Sequence, residues 1–423
     1  VTEICDVLVI GGGPAGSTIA ALLAVQGEKV TLLDKDKHPR FHIGESLLPM
    51  NLPLLDELGV RNEVEKIGMP KYGVEFVSPY HKRAVGLEFG QAWDKNFPYS
   101  YQVRRADFDH ILLKNAAAKG AQVIEECKVG EVEFLPEGGA IAMATDVDGN
   151  LRSYKARFIV DATGRDTLLA TRLNLKERNR RHNSAAVYGH FTGAERLPGK
   201  AEGNITIFWF DYGWFWFIPL ADGTTSIGAV CKPDYIKNRQ TSDITAFFQE
   251  TIALSAELSE RLKNATLTGP ATATGNYSYR ASRMTGKAGQ SYLMLGDAFA
   301  FIDPVFSTGV YLAMRSAFLG AKAVSTCLHQ PAKSASALRR FDREVRYGID
   351  TFSWYIYRIT RPAIRDLFMN PQNRFRILEA VLSLLAGEVS RKSPIHSRLK
   401  LFKVLYYCKT WFARVAEPAK AEM

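Results

Sequence analysis

The chain opens on an apolar run of strand length at residues 7–10. A glycine-rich turn and an alanine- and leucine-rich helix follow, then a second apolar strand at 30–33. Residues 156–166 and 291–321 repeat the same plan, an apolar strand running into a glycine-bearing turn. Between them, residues 185–231 alternate apolar and polar positions, which predicts a hairpin-rich sheet. Within it, Trp214 and Trp216 fall on one strand face, Phe215 and Phe217 on the other. Beyond about residue 325 the period turns helical, with Pro362, Pro371 and Pro394 as breakers. The pattern predicts an α/β chain with an antiparallel layer and a helical C-terminal region.

The first turn carries chemistry. Gly11, Gly13 and Gly16 stand in G-x-G-x-x-G spacing, with Pro14 and Ala15 between the last two. In a strand–turn–helix setting, the first glycine permits the tight turn. The second lets a pyrophosphate reach the backbone, and the third lets helix and strand pack closely. The helix start offers free N–H groups and partial positive charge to phosphates. Asp34, followed by Lys35, ends the second strand, where a carboxylate accepts bonds from ribose hydroxyls. The expectation is a Rossmann-like dinucleotide-binding fold.

At 423 residues the chain exceeds what one core usually organises. No apolar stretch is long enough for a transmembrane segment. Five scattered cysteines give neither a disulfide framework nor a metal-binding spacing, so no metal is expected and a cytoplasmic setting fits best. The net charge of +10 is uneven: residues 331–423 hold 18 Lys and Arg against 8 Asp and Glu, leaving the rest balanced. Without any DNA- or RNA-reading motif, this excess does not point to nucleic acid. A solvated helical face, an acidic partner and a membrane surface remain as readings.

Three further segments choose the dinucleotide. "ARFIVDATGRD" ends a strand in Asp161-Ala162-Thr163-Gly164, "SYLMLGDAF" carries Gly296-Asp297, and "QVRRADFD" has V-x-R-x-x-F-D spacing centred on Arg105. Over roughly residues 5–325 the chain resembles the flavoprotein monooxygenase superfamily of the para-hydroxybenzoate hydroxylase fold. That resemblance implies FAD, with Arg105, Asp161, Gly164, Gly296, Asp297 and Pro304 at the cofactor. It also implies a division into an FAD-binding part at 1–180, a substrate-side sheet at 181–285, a return to the FAD domain at 286–325 and a helical basic region at 326–423. The segment 50–100 is inserted in the first part.

Four local features resemble the flavin-dependent halogenases. "GWFWFIP" matches W-x-W-x-I-P at Trp214, Trp216, Ile218 and Pro219. "IGESLLP" carries Glu45 and Ser46 in the family's G-E-[AS]-x-x-P segment, which is shared with geranylgeranyl reductases. Lys71 stands five residues before Phe76, the family's lysine spacing, and "DPVFSTGV" places Ser307, Thr308 and Gly309 in the S-T-G element of a halide site. Where tryptophan halogenases carry a glutamate, this chain has Phe306, as in the phenol and pyrrole branch.

The resemblance implies that reduced FAD (FADH2), O2 and chloride or bromide yield hypohalous acid, which reaches Lys71 and halogenates an electron-rich ring. The tryptophan wall is then a barrier along a tunnel. With no second nucleotide motif, a separate flavin reductase is implied as partner. An acyl carrier protein is left open as bearer of the substrate, with the basic C-terminal region as its docking surface. Aromatic hydroxylation and isoprenoid reduction are the rival enzymatic readings, and a non-catalytic flavin-binding relic is a third.

Overall fold

A computed structural model describes residues 2–179, 184–275, 278–287 and 289–416. The boundary drawn between residues 180 and 181 falls outside them. The parallel core is built around the strand Thr2–Ile10, which pairs in parallel with Val30–Leu33 on one side and Leu151–Asp161 on the other. Val30–Leu33 carries Gln122–Ile124, and Leu151–Asp161 carries Tyr292–Met294, again in parallel. Toward their carboxyl ends, at residues 7–10, 30–33 and 158–160, these strands are buried and nearly all apolar because both faces are covered. Helices Pro14–Val25 and Thr308–His329 pack together on the sheet. The register matters most: Ile10 lies opposite both Leu33 and Asp161, and Asp161 opposite Met294. Four turns, beginning at Gly11, Asp34, Ala162 and Leu295, therefore leave one edge of the sheet together. In open α/β sheets that carboxyl edge is where ligands bind.

The second large sheet is less self-contained than its expected 181–285 span. Gly73–Ser78 joins it in parallel with Ile205–Phe210, and Arg83–Glu88 extends it further. Period-2 alternation then gives it two dry faces. Ile207, Trp209, Trp214, Trp216, Ile218 and Val230 belong to the main core. Phe208, Phe210, Phe215, Phe217, Ile227 and Ala229 form a second core under helices Ile244–Ile252 and Ala256–Arg261. Asp243 and Ser255 cap those helices, accepting backbone N–H bonds from Thr245 and Leu258 respectively.

A two-stranded ribbon, Met69–Lys71 with Ser100–Gln102, sits between the two sheets in sequence. Ser46 bridges to Gln102 from the other side, so residues 45–47 act as a third strand. The C-terminal helices Ser334–Ile356, Pro362–Met369, Ile377–Leu385 and His396–Ala416 fold back over this region. His81 meets Asp366 at 2.9 Å, and the Arg365 guanidinium lies 3.6 Å from the centre of the Tyr80 ring. Phe368 is the apolar pin. Its ring lies 5.1 Å from Phe76, 6.2 Å from Phe306 and 6.3 Å from Phe402. Three separate parts of the chain thus meet on one side chain. Phe368→Ala is expected to cost about 3–5 kcal/mol, read as a lowered midpoint in chemical denaturation; an unchanged midpoint would show that these helices dock without it.

Candidate active site

The carboxyl edge of the parallel sheet borders a cavity of about 640 Å³. Its three motif glycines have different reasons to be glycine. Gly11 has φ +105°, and a Cβ there would lie 2.4 Å from the Ala162 carbonyl oxygen. A Cβ on Gly16 would sit 1.8 Å from the Gly11 oxygen. At Gly13 nothing lies closer than 3.9 Å, so its missing side chain leaves open space on the cavity wall. Pro14 opens the helix and, with Ala15, lines the cavity. A pyrophosphate fits here: the backbone is bare and the helix start presents unpaired N–H groups.

Asp34 and Lys35 are also on the wall. The Asp34 carboxylate accepts N–H bonds from Gly12 and Asp36, and Arg40 approaches to 3.8 Å. Its first task is therefore to fix the turn. Lys35 pairs with Asp166 at 2.6 Å near the solvent. Arg105 grips Asp109 with two bonds, of 2.8 and 2.9 Å, and donates a third to the Ile43 carbonyl. Asp297 and Gly164 line the cavity. Burial pushes the Asp297 carboxyl up to about 6, against the pull of Arg165 and Arg105. Asp161 and Gly296 are not on the wall. Asp161 accepts bonds from Thr163 and the Leu169 N–H, shaping the turn, and Gly296 takes φ +50° beside Ala313. Arg40 and Arg165 line the same cavity; Arg40 had no motif to announce it, and Arg165 directly follows the Asp161-Ala162-Thr163-Gly164 turn.

At the other end the wall is aromatic. Trp214, Trp216 and Ile218 line it, whereas Pro219 does not. The two indoles lie 6.1 Å apart. Trp216 stands over its strand partner Gly228, where a Cβ would be 2.2 Å from the ring, and donates Nε1–H to Ser226 Oγ at 3.2 Å. Opposite in sequence, Ser307 takes a left-handed φ of +56° and starts the helix Thr308–His329. Pro304, Ser307 and Gly309 face the cavity; Thr308 is buried and its hydroxyl has no partner among the described residues. Just before them, the Asp303 carboxyl accepts bonds from the Val305 N–H and the Ser184 hydroxyl, and burial pushes it up to about 6. Phe306 stacks on Phe368 instead of entering the cavity.

Lys71 is 1% exposed. Its ammonium donates to Ser46 Oγ at 2.9 Å and to the Leu47 carbonyl at 3.2 Å, and sits 5.4 Å from the centre of the Phe89 ring. Burial alone pulls it down to about 7. Lys71 is not on the cavity wall, but its partner Ser46 is, next to Glu45. Glu45 accepts from His190 Nε2 at 3.0 Å, with Arg104 at 3.6 Å. Further along the same segment, Pro49 and Met50 line a second cavity of about 480 Å³. Its other walls are Trp93, Phe97 and the C-terminal residues 383–395. The Trp93 ring has Arg376 at 3.5 Å and Arg398 at 5.4 Å. Ser46 and Pro49 are three residues apart, so about 10 Å of chain at most separates the two cavities.

The family model described as tryptophan halogenase matches residues 6–95 and 80–361. A tryptophan 2-halogenase of Chondromyces crocatus is 36% identical over 80% of this chain, which spans 64% of that protein's length. A 1H-pyrrole-2-carbonyl peptidyl-carrier-protein chlorinase of Pseudomonas fluorescens is 31% identical over 91% of this chain and 89% of its own. The solved structure of the myxobacterial chondrochloren halogenase CndH, a variant of the FAD-dependent halogenases, superposes with a TM-score of 0.79. It is 32% identical and the match covers 93% and 92% of the two chains.

Two outcomes follow from the geometry. Gly13→Ala should fold normally yet weaken FAD binding roughly tenfold or more, about 1.4 kcal/mol, by fluorescence titration. Gly16→Ala should instead fail to fold, because its Cβ meets backbone. Equal losses of stability in both variants would contradict the division of roles. Lys71→Met should stabilise the protein, because the unfolded lysine binds its proton up to about pH 10.5 and the folded one only to about 7. The gain, on the order of 2 kcal/mol after the lost hydrogen bonds, should be full below pH 7 and vanish as pH rises past 10. Thermal melts across that range check it.

Proposed function

The chain belongs to the tryptophan-halogenase family of flavin-dependent halogenases, and from that premise we propose that it halogenates an electron-rich phenol- or pyrrole-type ring presented to Lys71 from the second cavity. As a member of that family it is an FAD-dependent enzyme that uses halide and O2. Reduced FAD with O2 supplies the oxidising power that converts halide into hypohalous acid. The residues that would hold FAD are Gly13 and the helix start behind it, Asp34, Lys35, Arg105, Gly164 and Asp297, all on one cavity. Ser307 and Gly309 stand at a helix start that no side chain caps, which suits chloride or bromide, although the Ser307 N–H itself is spent on the Pro304 carbonyl.

The observation that carries this reading is the position of Lys71, bonded to the middle of the segment that separates the two cavities. Trp214, Trp216 and Ile218 keep an organic ring away from the flavin end, so only a small oxidant passes. As an ammonium, Lys71 has three N–H groups and spends two on Ser46 and Leu47. The third is free to bond the hypohalous oxygen and make the halogen more electrophilic. A ring held beside it reacts at one carbon by proximity. Phe306 puts no carboxylate directly before Ser307-Thr308-Gly309 to take the ring proton, and the buried Asp303 carboxyl is already bonded to the Val305 N–H and the Ser184 hydroxyl. Activated phenols and pyrroles, whose protons leave readily to solvent, fit that lack better than tryptophan does.

Delivery on an acyl or peptidyl carrier protein is supported by the carrier-specific name of one relative. It is also supported by the cationic C-terminal region, where Lys392 lines the second cavity and Arg376 and Arg398 flank Trp93. Complementary charge would speed and select such a partner. A separate flavin reductase completes the cycle. The five cysteines, unpaired in the structure, are consistent with a reducing cytoplasm.

With FAD, a flavin reductase, NADH, O2 and bromide or chloride, phenol- and pyrrole-type substrates offered free and carrier-bound should acquire the halogen isotope pattern by mass spectrometry. Lys71→Ala should lower that product roughly a hundredfold while NADH and O2 consumption continue. In the wild type, product formation should fall as pH rises through about 7, as the donor form of Lys71 is lost. A hydroxylated product free of halogen, or a Lys71→Ala variant as productive as wild type, would sink the proposal.

A further inference from the structure

Three residues beside Lys71 share its face of the small sheet. Lys71 lies opposite Ser100, and Gln102 lies opposite both Met69 and Ser46. Directly opposed residues on antiparallel strands point to the same side, as do residues two apart. Lys71, Ser46, Ser100 and Gln102 therefore form one polar patch, and the bond from Lys71 Nζ to Ser46 Oγ runs across it.

The patch is dry and incompletely paired. Ser100 and Gln102 are both 0% exposed. Ser100 Oγ and Gln102 Oε1 have no hydrogen-bond partner among the described residues. The orientation of the Gln102 amide is fixed, because its Nε2 donates to the Gly203 carbonyl at 3.0 Å. The unpaired atom is thus the acceptor. A buried polar atom left without a partner costs about 1–3 kcal/mol, so two of them beside a lysine with an unused N–H mark a place built for a guest. The guest must be small, and it must accept one hydrogen bond and donate another. No charged side chain among the described residues perturbs Lys71; Glu45, the carboxylate close by in sequence, is held by His190 and Arg104.

We infer that Lys71, Ser100 and Gln102 form a binding site for one small neutral hydroxylic molecule, water at rest and hypohalous acid during turnover. The identity of the turnover guest rests on the proposed halogenase function; the existence of the site does not. Lys71 donates to the guest oxygen, Gln102 Oε1 accepts its O–H, and Ser100 Oγ adjusts to either role. Two contacts on the oxygen and its proton fix the direction of the remaining oxygen–halogen bond. A lone lysine cannot do that. Gln102 and Ser100 are positioning residues that supply the second contact on a chain whose S-T-G loop offers Phe306.

The site is tested first without flavin, by NMR titration of ¹³C-labelled lysine in the flavin-free protein. Gln102→Leu removes the facing acceptor and should lower the Lys71 midpoint by about half a pH unit or more; Gln102→Glu should raise it by about one unit or more. Ser100→Ala should move it slightly downward. Should Gln102→Leu not fold, the other two variants decide. Midpoints equal to wild type in all folded variants would overturn the site. Bromination of a phenol probe, scored per O2 consumed, then tests the guest. Gln102→Leu should keep flavin reoxidation within about twofold. It should lower brominated product roughly tenfold, with hypobromite escaping to an added β-diketone trap, and Gln102→Glu should restore part of the yield. Shifted midpoints with undiminished bromination would leave a water site and overturn its role with the oxidant. Wild-type protein that brominates no probe would count against the halogenase reading, while the titration still decides the site.

Discussion

Two backbone hydrogen bonds, from the Val103 N–H to the Glu45 carbonyl at 2.8 Å and from the Leu47 N–H to the Tyr101 carbonyl at 3.0 Å, hold residues 45–47 as an extra strand. Most of the site depends on this short ladder. It places Glu45 and Ser46 on one cavity and leads Pro49 and Met50 into the other. It also gives Lys71 its two partners, since Ser46 Oγ and the Leu47 carbonyl are held in place by the backbone. A lysine anchored by side chains alone would keep much of its rotamer freedom, which costs up to about 2 kcal/mol to remove. Here the anchor is ordered before the lysine reaches it.

Local constraints were legible in the sequence and long-range ones were not. The spacing of Gly11, Gly13 and Gly16 encodes contacts within one turn, and the structure returns a steric reason for two of them and open space at the third. The parity of Trp214 and Trp216 against Phe215 and Phe217 likewise follows from the two-residue repeat of a strand, and the two pairs enter separate cores. Gly73–Ser78, by contrast, pairs with the strand Ile205–Phe210 more than 100 residues away, and nothing in its own pattern names that neighbour. The partners of Glu45 come from residues 104 and 190, and the second cavity needs residues 49, 93 and 383–395 at once. Motif logic also overassigned. Asp161 sits in a nucleotide-binding motif yet spends its carboxylate on Thr163 and Leu169, because a buried acid beside free backbone N–H groups takes them first.

The site runs against stability at several points. Among the described residues Lys71 is buried without a counter-ion, Ser307 takes a left-handed conformation, and Ser100, Gln102 and Thr308 leave polar atoms unpaired. The strained backbone and the unpaired polar atoms each cost on the order of 1–3 kcal/mol. They cluster within a few residues of the two cavities, while the surrounding strands follow ordinary packing rules. Departures of this kind are where function is expected to sit, with the rest of the fold compensating. The aromatic core beside them is that compensation: Phe76 and Trp209 stack at 5.2 Å, and Phe368 ties Phe76 to Phe306.

Phe306 joins the substitution of one residue to the architecture of a whole region. A carboxylate at that position would need solvent or a cation, and would hold the S-T-G loop and the C-terminal helices apart. A phenylalanine instead lets Phe368 stack on it, which seats helix Pro362–Met369 over the loop and, through Phe402, the last helix as well. The same C-terminal region supplies one wall of the second cavity and nearly all of the chain's excess positive charge. In the proposed chemistry, losing the acid and gaining a cationic substrate wall are therefore one structural change. Among the described residues, the strand Ser100–Gln102 carries unpaired polar atoms on the face of the small sheet that Lys71 shares, and the proposed contacts to the oxidant are drawn from there.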